Sequence, residues 1–397
     1  MKILVLSSWI PYPLEKGDKL RLYHQLRHLS VRHQIILCCL SDRPMTEDQK
    51  AALSPLTQEM IHLPLRRFHR MWRMMWAWAS RLPFQVVWFT ERKAQNLLHQ
   101  AIERHQPDLI FCQLVRSAEY VKDIHTTPKV IDFMDALSAG MHRRSHAQVG
   151  LGKWALRLLL SVEGTRLARY ESRVFDYFDA CTIISKNDRL LIPHRDRNHI
   201  HIVPNGVDLT DFSPPKEKAN CDKKVILFSG NMSYAPNVDA AHFLVREILP
   251  LLTHPRVEVV LAGAEPSVAV KALAGPQVRV TGWVDDIAAE YRQADLFVAP
   301  LRMGTGLQNK VLEAMASALP CVLSPHAFSP LGLPSSGHAK VCQHAKYFAA
   351  QIDGLLADPT SAMSMAIKAR EVINTHFTWE GQNAMLEQIL MDVAHSG

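Results

Sequence analysis

Residues 295–324 read DLFVAPLRMGTGLQNKVLEAMASALPCVLS, and this stretch decides the fold class. Its apolar ends predict two β-strands. Between them it predicts a glycine-bearing loop, Arg302–Gln308, followed by a helix. Gly304 and Gly306 allow close approach of the backbone to a ligand. The first amides of the helix face the loop, so the site suits an anion such as a sugar-linked phosphate. Many doubly wound proteins share this pattern, so support must come from the rest of the chain.

Short β-branched runs alternate with longer helical patterns along all 397 residues. This alternation predicts an α/β fold with parallel sheets covered by helices on both faces. The predicted strands are Lys2–Leu6, Gln34–Leu40, Asp108–Cys112, Lys129–Phe133, Ala180–Ile184, His199–Val203, Lys224–Ser229, Val257–Ala262, Gln277–Thr281, Asp295–Ala299 and Cys321–Ser324.

The strand pattern restarts after a turn and a run rich in Pro, Lys and Asp, which indicates two domains. We predict a doubly wound first domain over 1–205, a linker over 206–223 and a doubly wound second domain over 224–378. Residues 379–397 predict a helix that either completes the second domain or crosses back to the first. Two such domains would form a cleft at the carboxyl ends of both sheets, where these folds bind ligands.

Composition narrows the class of protein. The formal net charge of +7 and the pI of about 9.0 favour phosphates, nucleic acid or anionic lipid as partners. Seven cysteines, an odd number without a CxxC pair, lie mostly in strand-like runs and indicate reduced thiols and no zinc site. The N-terminus lacks the features of a signal peptide, and no apolar stretch is long enough to span a membrane. We therefore expect a cytoplasmic protein.

Several motifs together resemble one family. The run KVLEAMASALPCVLS (310–324) is similar to the donor-site signature of glycosyltransferase family four, which has the GT-B fold. Segments with the family's spacing surround it: HIVPNGVD (201–208), ILFSGN (226–231), VVLAGAE (259–265) and VTGWVDDIAAEYRQADLFVAP (280–300). PYPLEKGDKLRLYHQLRHLS (11–30) resembles the family's first glycine loop and helix. The chain most resembles the bacterial branch associated with exopolysaccharide and protein-sorting gene systems.

The resemblance implies a nucleoside diphosphate sugar as donor, and the chain departs from the family at three donor positions. The family grips the donor with two glutamates eight positions apart. The second matches Glu313, but Thr305 stands in place of the first. Asn231 and Pro236 stand where the family commonly has an arginine and a lysine for the diphosphate. Because a buried diphosphate without cations is costly, we expect Lys310, and secondarily Arg302, to supply the charge. The alternative is that Lys310 is a solvated helix residue.

The other predicted donor contacts lie in loops that follow strands. Gly282, Trp283 and Val284 are expected at the nucleotide base, unless Trp283 is simply packed in the core. The full predicted donor set is Gly17, Asn231, Gly282, Trp283, Val284, Arg302, Gly304, Thr305, Gly306, Leu307, Gln308, Lys310 and Glu313.

In the first domain, charged residues follow two predicted strands. Lys16, Asp18, Lys19, Arg21 and Asp132 are candidates for acceptor or phosphate contacts, with an ordinary surface turn as the alternative for the loop at 16–19. Asp135 is predicted to position the acceptor hydroxyl or stabilise positive charge on the sugar, and otherwise to cap the next helix. With Lys310 and Glu313 it forms the predicted catalytic set. The family reaction retains anomeric configuration, and no dedicated base is obligatory.

Residues Leu63–Phe84 read LPLRRFHRMWRMMWAWASRLPF and predict a helix with one apolar and one basic face. Such a helix suits a membrane interface, although it is equally the pattern of a helix packed on its own sheet. The predicted membrane contacts are Arg66, Phe68, Arg70, Trp72, Arg73, Met75 and Trp76. A second helical region, Trp154–Tyr177, extends the basic surface or is a solvated helix face.

The sequence thus favours a retaining hexosyl-type transferase that moves a sugar from a nucleoside diphosphate sugar to a glycan or lipid-linked acceptor. No metal and no further cofactor are expected, nor is nucleic-acid binding. Two alternatives stay open. One is a GT-B sugar-nucleotide epimerase, and the other is an inactive sugar-nucleotide-binding or scaffold subunit, which the departures at Thr305, Asn231 and Pro236 support.

Overall fold

The computed structural model of the chain describes residues 1–146, 151–215, 223–303, 306–334 and 337–396. The chain divides into two compact units. Unit 1 comprises Met1–Pro204 and Gln382–Gly397, and unit 2 comprises Asn205–Gly381.

Unit 1 is built on a seven-stranded, fully parallel sheet. Its strand order is β3-β2-β1-β4-β5-β6-β7, so the order reverses between β1 and β4. The strands are β1 (Lys2–Ser7), β2 (Gln34–Ser41), β3 (Glu59–Pro64), β4 (Leu109–Gln113), β5 (Lys129–Asp132), β6 (Ala180–Ile183) and β7 (His201–Ile202). The helices are α1 (Gly17–Leu29), α2 (Glu47–Leu53), α3 (Arg67–Ala77), α4 (Phe84–Phe89), α5 (Arg92–His105), α6 (Leu137–His146), α7 (Trp154–Phe175) and α8 (Lys186–Leu191).

Unit 2 repeats the plan with a six-stranded parallel sheet in the order β10-β9-β8-β11-β12-β13. Here the order reverses between β8 and β11. The strands are β8 (Lys224–Ser229), β9 (Val257–Ala262), β10 (Val278–Gly282), β11 (Leu296–Ala299), β12 (Cys321–Leu323) and β13 (Lys340–Val341). The helices are α9 (Ala235–Phe243), α10 (Val268–Lys271), α11 (Ile287–Gln293), α12 (Asn309–Ala316), α13 (Pro325–Phe328), α14 (Ala345–Ala357) and α15 (Pro359–His376).

The last helix, α16 (Trp379–Ser396), begins in unit 2 and joins unit 1 from Gln382 onward. Its apolar residues Leu386, Ile389 and Leu390 pack into the same cluster as the core residues of β1 and α1. Glu387 accepts hydrogen bonds from the rings of His28 and His33.

Strands of a parallel sheet are buried on both faces and therefore consist of continuous apolar residues. Most strands could be located from the sequence because these apolar runs stand out. β1 and β4, for example, are almost wholly buried. The sequence does not predict two of the observed strands. β3 overlaps the helix predicted from Leu63 onward, and β13 has only two residues.

The predicted linker over 206–223 differs from the structure. The chain divides at Pro204 and Asn205, and the residues that follow belong to unit 2. Val207 is buried and forms a parallel bridge with Thr378. A Cβ on Gly206 would lie 2.3 Å from the backbone nitrogen of Trp379, so this segment is tightly packed against the start of α16.

The single helix predicted over Leu63–Phe84 is wrong. The segment divides into the end of β3, the helix α3 and a turn before α4. Pro83 stands at the cap of α4, where its missing N–H costs no helical hydrogen bond.

Candidate functional site

The carboxyl ends of β8 and β9 form a tight glycine floor in unit 2. Gly230 and Gly263 have φ of +139° and +138°, values that side chains disfavour. A Cβ on Gly263 would lie 2.0 Å from the carbonyl oxygen of Gly230, so the two loops run in direct contact. The floor lies beside the point where strand order reverses, where open α/β sheets bind ligands.

Lys310, at the start of α12, reaches this floor. A Cβ on Gly230 would lie 2.8 Å from its Nζ. Lys310 is only 8% exposed, and its Nζ donates to Oδ1 of Asn237 at 2.5 Å and lies 4.7 Å from the ring centroid of Phe228. Burial lowers the pKa of Lys310 to about 7, although the charge of Glu313 opposes that shift. The alternative of a solvated helix lysine is therefore wrong.

Asn237 is a site residue that the sequence did not reveal. Its Nδ2 donates to the carbonyl oxygen of Asn231 at 2.8 Å, while its Oδ1 holds Lys310. The side chain thus links the loop after β8 to the first turn of α12. The sequence signal, an asparagine early in α9, becomes meaningful only once the tertiary contact is known.

Glu313 lies one turn further along α12, beside a buried tyrosine. Its Oε2 accepts a hydrogen bond from Tyr291 Oη at 2.8 Å, and Tyr291 Oη lies 2.5 Å from Ser229 Oγ. Burial raises the pKa of Glu313, while the hydrogen bond from Tyr291 and the charge of Lys310 lower it. A carboxylate held on one side by a rigid phenol is well placed to accept hydrogen bonds from sugar hydroxyls.

The glycine loop before α12 is described in part. Gly304 and Thr305 lie outside the described residues. Gly306 has φ of +83°, Leu307 is buried, and Gln308 Nε2 donates to the carbonyl oxygen of Gly306 at 3.3 Å. These contacts shape the turn that leads into α12.

Arg302 does not serve as the predicted second cation. Its guanidinium donates to both carboxylate oxygens of Asp239, at 2.9 and 2.6 Å, and to Glu247 at 3.2 Å. It also lies 4.6 Å from the ring centroid of Phe243. Two carboxylates already balance its charge, so the prediction that it binds phosphate loses its physical basis.

The residues predicted to bind the base lie at the end of β10 and directly after it. Trp283 is 61% exposed and Gly282 has φ of +70°, so the alternative of a packed core tryptophan is wrong. The indole Nε1 donates to Asp285 at 3.2 Å, and Val284 is half-buried. Asn231 donates to Glu265 at 3.1 Å and accepts from Ser233, so its amide is engaged locally.

In unit 1, Arg21 and Asp132 bind each other and are not open to a ligand. Both are buried, with Arg21 Nε 2.6 Å from Asp132 Oδ2. Asp132 also accepts hydrogen bonds from Gln25 Nε2 at 3.2 Å and Thr182 Oγ1 at 3.0 Å. This network ties α1 to β5 and β6, which corrects the prediction that the two residues contact acceptor or phosphate.

The remaining residues of the first glycine loop stay near the surface. Lys16 is exposed, with Nζ 5.4 Å from the ring centroid of Trp9. Gly17 is the first residue of α1. Asp18 Oδ1 accepts from the backbone N–H of Lys19, which is half-buried. A Cβ on Gly17 would meet Met134 at an ordinary 3.5 Å, so steric room does not by itself demand glycine there.

Asp135 lies just beyond the end of β5, among charged groups of unit 1. Met134, directly before it, has φ of +64°, a conformation that is uncommon for non-glycine residues. Burial and the charge of Asp188 raise the pKa of Asp135 to about 6, while Arg116 opposes the shift. Arg116 was not predicted. It follows β4 and its Nε is buried without a hydrogen-bond partner.

The residues predicted to face a membrane divide into two groups. Trp72 and Met75 are exposed at 63% and 60%, and Arg66 is exposed. Arg70 is buried and donates to the carbonyl oxygen of Leu65, and Arg73 donates to that of Thr90. These two arginines therefore hold α3 onto unit 1, contrary to the prediction. The side chains of Phe68 and Trp76 lie outside the described residues.

Within the described ranges, no group of three or more His, Cys, Asp or Glu side chains could hold a metal ion. In the same part of the chain, no helix is both long and apolar enough to cross a membrane.

Residues 223–374, nearly all of unit 2, match the family model described as "Glycosyl transferases group 1". "Putative glycosyltransferase EpsF" of Bacillus subtilis (strain 168) is 30% identical over 142 residues. That match spans 32% of this chain and 37% of EpsF, so it covers little more than a third of the relative.

Solved structures match the whole chain. Sucrose-phosphate synthase from Thermosynechococcus elongatus has a TM-score of 0.74 at 15% identity, covering 100% of both chains. HepE of Anabaena, solved in complex with UDP-glucose, has a TM-score of 0.70 at 15% identity, covering 99% of this chain and 100% of HepE. At such identities the likeness establishes the fold. Residues 223–374 of unit 2 are therefore similar to group 1 glycosyl transferases, in a chain that has the GT-B fold.

Proposed function

We propose that the protein transfers a sugar from a nucleoside diphosphate sugar to a glycan or lipid-linked acceptor, in exopolysaccharide or other cell-surface polysaccharide synthesis. The observation that carries this proposal is Lys310, a buried lysine on a glycine floor at the switch point of a group 1 glycosyl transferase domain. Burial lowers the pKa of Lys310 to about 7, and its Nζ forms no ion pair with a carboxylate of the described residues, so this lysine suits an anionic ligand. The UDP-glucose in the HepE structure supports a donor of this class.

In this proposal Lys310 and the amides at the start of α12 bind the diphosphate, where the family's usual cations are replaced by Asn231 and Pro236. Glu313, fixed by Tyr291, accepts hydrogen bonds from ribose or sugar hydroxyls. Trp283 offers an exposed ring beside backbone groups that pair with the base. Gly304 and Thr305 stay predicted donor contacts, with Thr305 in the place of the family's first donor glutamate.

The reaction breaks the bond between the anomeric carbon and the phosphate oxygen, and forms one from that carbon to the acceptor oxygen. Retention of configuration lets the departing phosphate oxygen take the acceptor's proton, so no dedicated base is needed. Lys310 stabilises the charge that grows on the leaving diphosphate. Asp135 of unit 1 positions the acceptor hydroxyl. We propose that the reaction is metal-independent, so EDTA should leave the rate unchanged.

A thermal-shift screen with UDP-, GDP-, ADP- and TDP-sugars tests the donor site. We expect one nucleotide class to raise the melting temperature, because ligand that binds only the native state stabilises it by mass action. Lys310→Met and Glu313→Gln should each abolish that shift. Lys271→Met, at an exposed lysine of α10, is the matched control and should keep it.

A transfer assay with the donor identified in this way separates an enzyme from a binding subunit. Release of the nucleotide diphosphate that depends on added acceptor supports the proposal. Donor binding without any turnover across a panel of polysaccharide and polyprenyl-linked acceptors would favour the scaffold alternative. No thermal shift with any nucleotide sugar would contradict the donor site itself.

A further inference from the structure

Two neighbouring parts of unit 1 carry an unusual concentration of positive charge. Residues 65–90 and 136–162 together hold nine arginines and lysines and no aspartate or glutamate. The whole chain has a net charge of +7, so outside these two segments acidic residues outnumber basic ones. Five of the eight tryptophans also lie here. Positive charge and tryptophan content are therefore concentrated in the same two segments.

The first two turns of α7 are exposed on every side. Each of residues 152–159 is exposed, including Trp154 at 69% and Leu158 at 58%, with Leu156 and Leu159 also exposed. Of the described residues, Ser145 of α6 reaches this helical end, where its Oγ donates to the carbonyl oxygen of Arg157 at 2.8 Å. The exposed side chains combine apolar Trp154 and Leu158 with basic Lys153 and Arg157, the composition of helices that bind at a membrane interface.

The exposed apolar side chains of α3 belong to the same surface. Met71, Trp72 and Met75 of α3, and Trp78 directly after it, are all more than half exposed. Val162 of α7 packs against a small cluster formed by Ala77, Phe84 and Val87, with Met74 of α3 beside it. The exposed turns of α7 end at Leu159, three residues before Val162 and about 5 Å away along the helix.

Polar contacts hold these helices together. Arg166 of α7 donates to the carbonyl oxygens of Ala77 at 2.7 Å and Trp78 at 3.1 Å, at the end of α3. Glu163 accepts from the backbone N–H groups of Phe84 at 2.7 Å and Gln85 at 2.9 Å, at the start of α4. These hydrogen bonds fix α3, α4 and α7 relative to one another, so the exposed apolar side chains lie on a rigid surface.

Cations surround the apolar side chains. Arg66 and Arg81 are exposed near the two ends of α3, and Arg144, Lys153 and Arg157 are exposed around the start of α7. Basic residues around a Trp-, Met- and Leu-rich surface complement an anionic lipid surface, to which each cation adds about 1 kcal/mol.

We propose that α3 and the first two turns of α7 form a single docking surface for an anionic membrane, into which Trp72, Met75, Trp154 and Leu158 insert. The prediction from sequence placed this contact on α3 alone, with Arg70 and Arg73 among the lipid-facing residues. The structure instead uses those arginines to fasten α3 and adds α7. This proposal stands apart from the donor site, because every residue of the surface belongs to unit 1.

Vesicle co-sedimentation tests the surface on the full chain. The vesicles are phosphatidylcholine alone, or phosphatidylcholine with about a third phosphatidylglycerol. We expect binding to the anionic vesicles only, and weaker binding as salt is raised. The double variant Trp154→Glu, Leu158→Glu should lower the partition coefficient by about tenfold or more. Met363→Glu with Ile367→Glu, at comparably exposed apolar residues of α15 in unit 2, is the matched control and should bind as the unmodified protein does.

Several outcomes would overturn the proposal. One is absence of binding to anionic vesicles, and another is equal binding by the Trp154/Leu158 variant. A dimer in light scattering that becomes a monomer in this variant would show that a second copy covers the surface. If the variant does not fold, insertion is tested on the unmodified protein, by quenching of its tryptophan fluorescence with brominated phosphatidylglycerol. Quenching is expected, and its absence contradicts insertion.

Discussion

Lys310 makes the electrostatics of the candidate donor site depend on pH. In the free protein its pKa is lowered to about 7 by burial, so it is cationic below that pH and increasingly neutral above it. A bound diphosphate favours the cation and raises this pKa. Above pH 7, binding must therefore take up a proton.

We predict that donor affinity falls by up to about tenfold per pH unit as pH rises from 7 to 9. Titration calorimetry in buffers of different ionisation enthalpy should show proton uptake at pH 8 and little at pH 6. Lys310→Met should lose both the affinity and its pH dependence. A wild-type affinity that is constant over this range would contradict a diphosphate contact by Lys310.

The same residue shows a conflict between stability and binding. In the unfolded chain Lys310 regains its ordinary, higher pKa, so its burial opposes folding most below pH 7 and progressively less as pH rises to that ordinary value. Replacement by methionine removes a buried cation whose close partner, Asn237, is neutral. The variant should therefore melt at a higher temperature than the unmodified protein at pH 6, although it no longer binds donor.

At the scale of elements, the Arg21–Asp132 pair fastens α1 to β5. Removing one partner leaves a buried charge, and such changes typically cost about 3–5 kcal/mol. Asp132→Ala should thus lower the free energy of unfolding by that order in urea denaturation. Arg21→Met combined with Asp132→Leu should recover part of the loss, because no charge then remains buried. Equal stability of the single variant and the unmodified protein would show that the pair is not structural.

Sequence reasoning located structural elements where the information was local. β1 and β8 are continuous apolar runs between turns, and the helix that carries Lys310 and Glu313 lies in one uninterrupted motif. The functional roles of these two residues stay predictions. Sequence reasoning failed where a contact joined distant segments. Nothing local marks Asn237, Tyr291 or Arg116, because each acquires its role from a partner on another element.

The α3 segment shows a different limit. Hydrophobic periodicity reveals that a helix has two unlike faces, but it does not say which face meets the protein. Arg70 and Arg73 donate to carbonyl oxygens of unit 1, so these two basic residues turn inward. Met71 and Trp72 are left exposed. The acceptors, on Leu65 and Thr90, are known only from the folded structure.

At the scale of the whole molecule, unit 1 depends on the end of the chain. Leu386, Ile389 and Leu390 of α16 are buried in its core, and burying each such side chain contributes about 1.5–3 kcal/mol. Together they approach the net stability of a typical domain. A chain that ends at Gly381 should therefore lose the cooperative unfolding of unit 1 in urea, while its unit 2 still shows the donor thermal shift. Retention of both transitions would contradict this dependence.

The return of α16 also has a consequence during synthesis. The ribosome delivers residues 1–204 before unit 2, but their core lacks three of its buried side chains until α16 has left the exit tunnel. Unit 2 is one uninterrupted segment, Asn205–Gly381, and is complete earlier. Co-translational folding should thus finish in the reverse of sequence order, with unit 1, the first to be translated, the last to close.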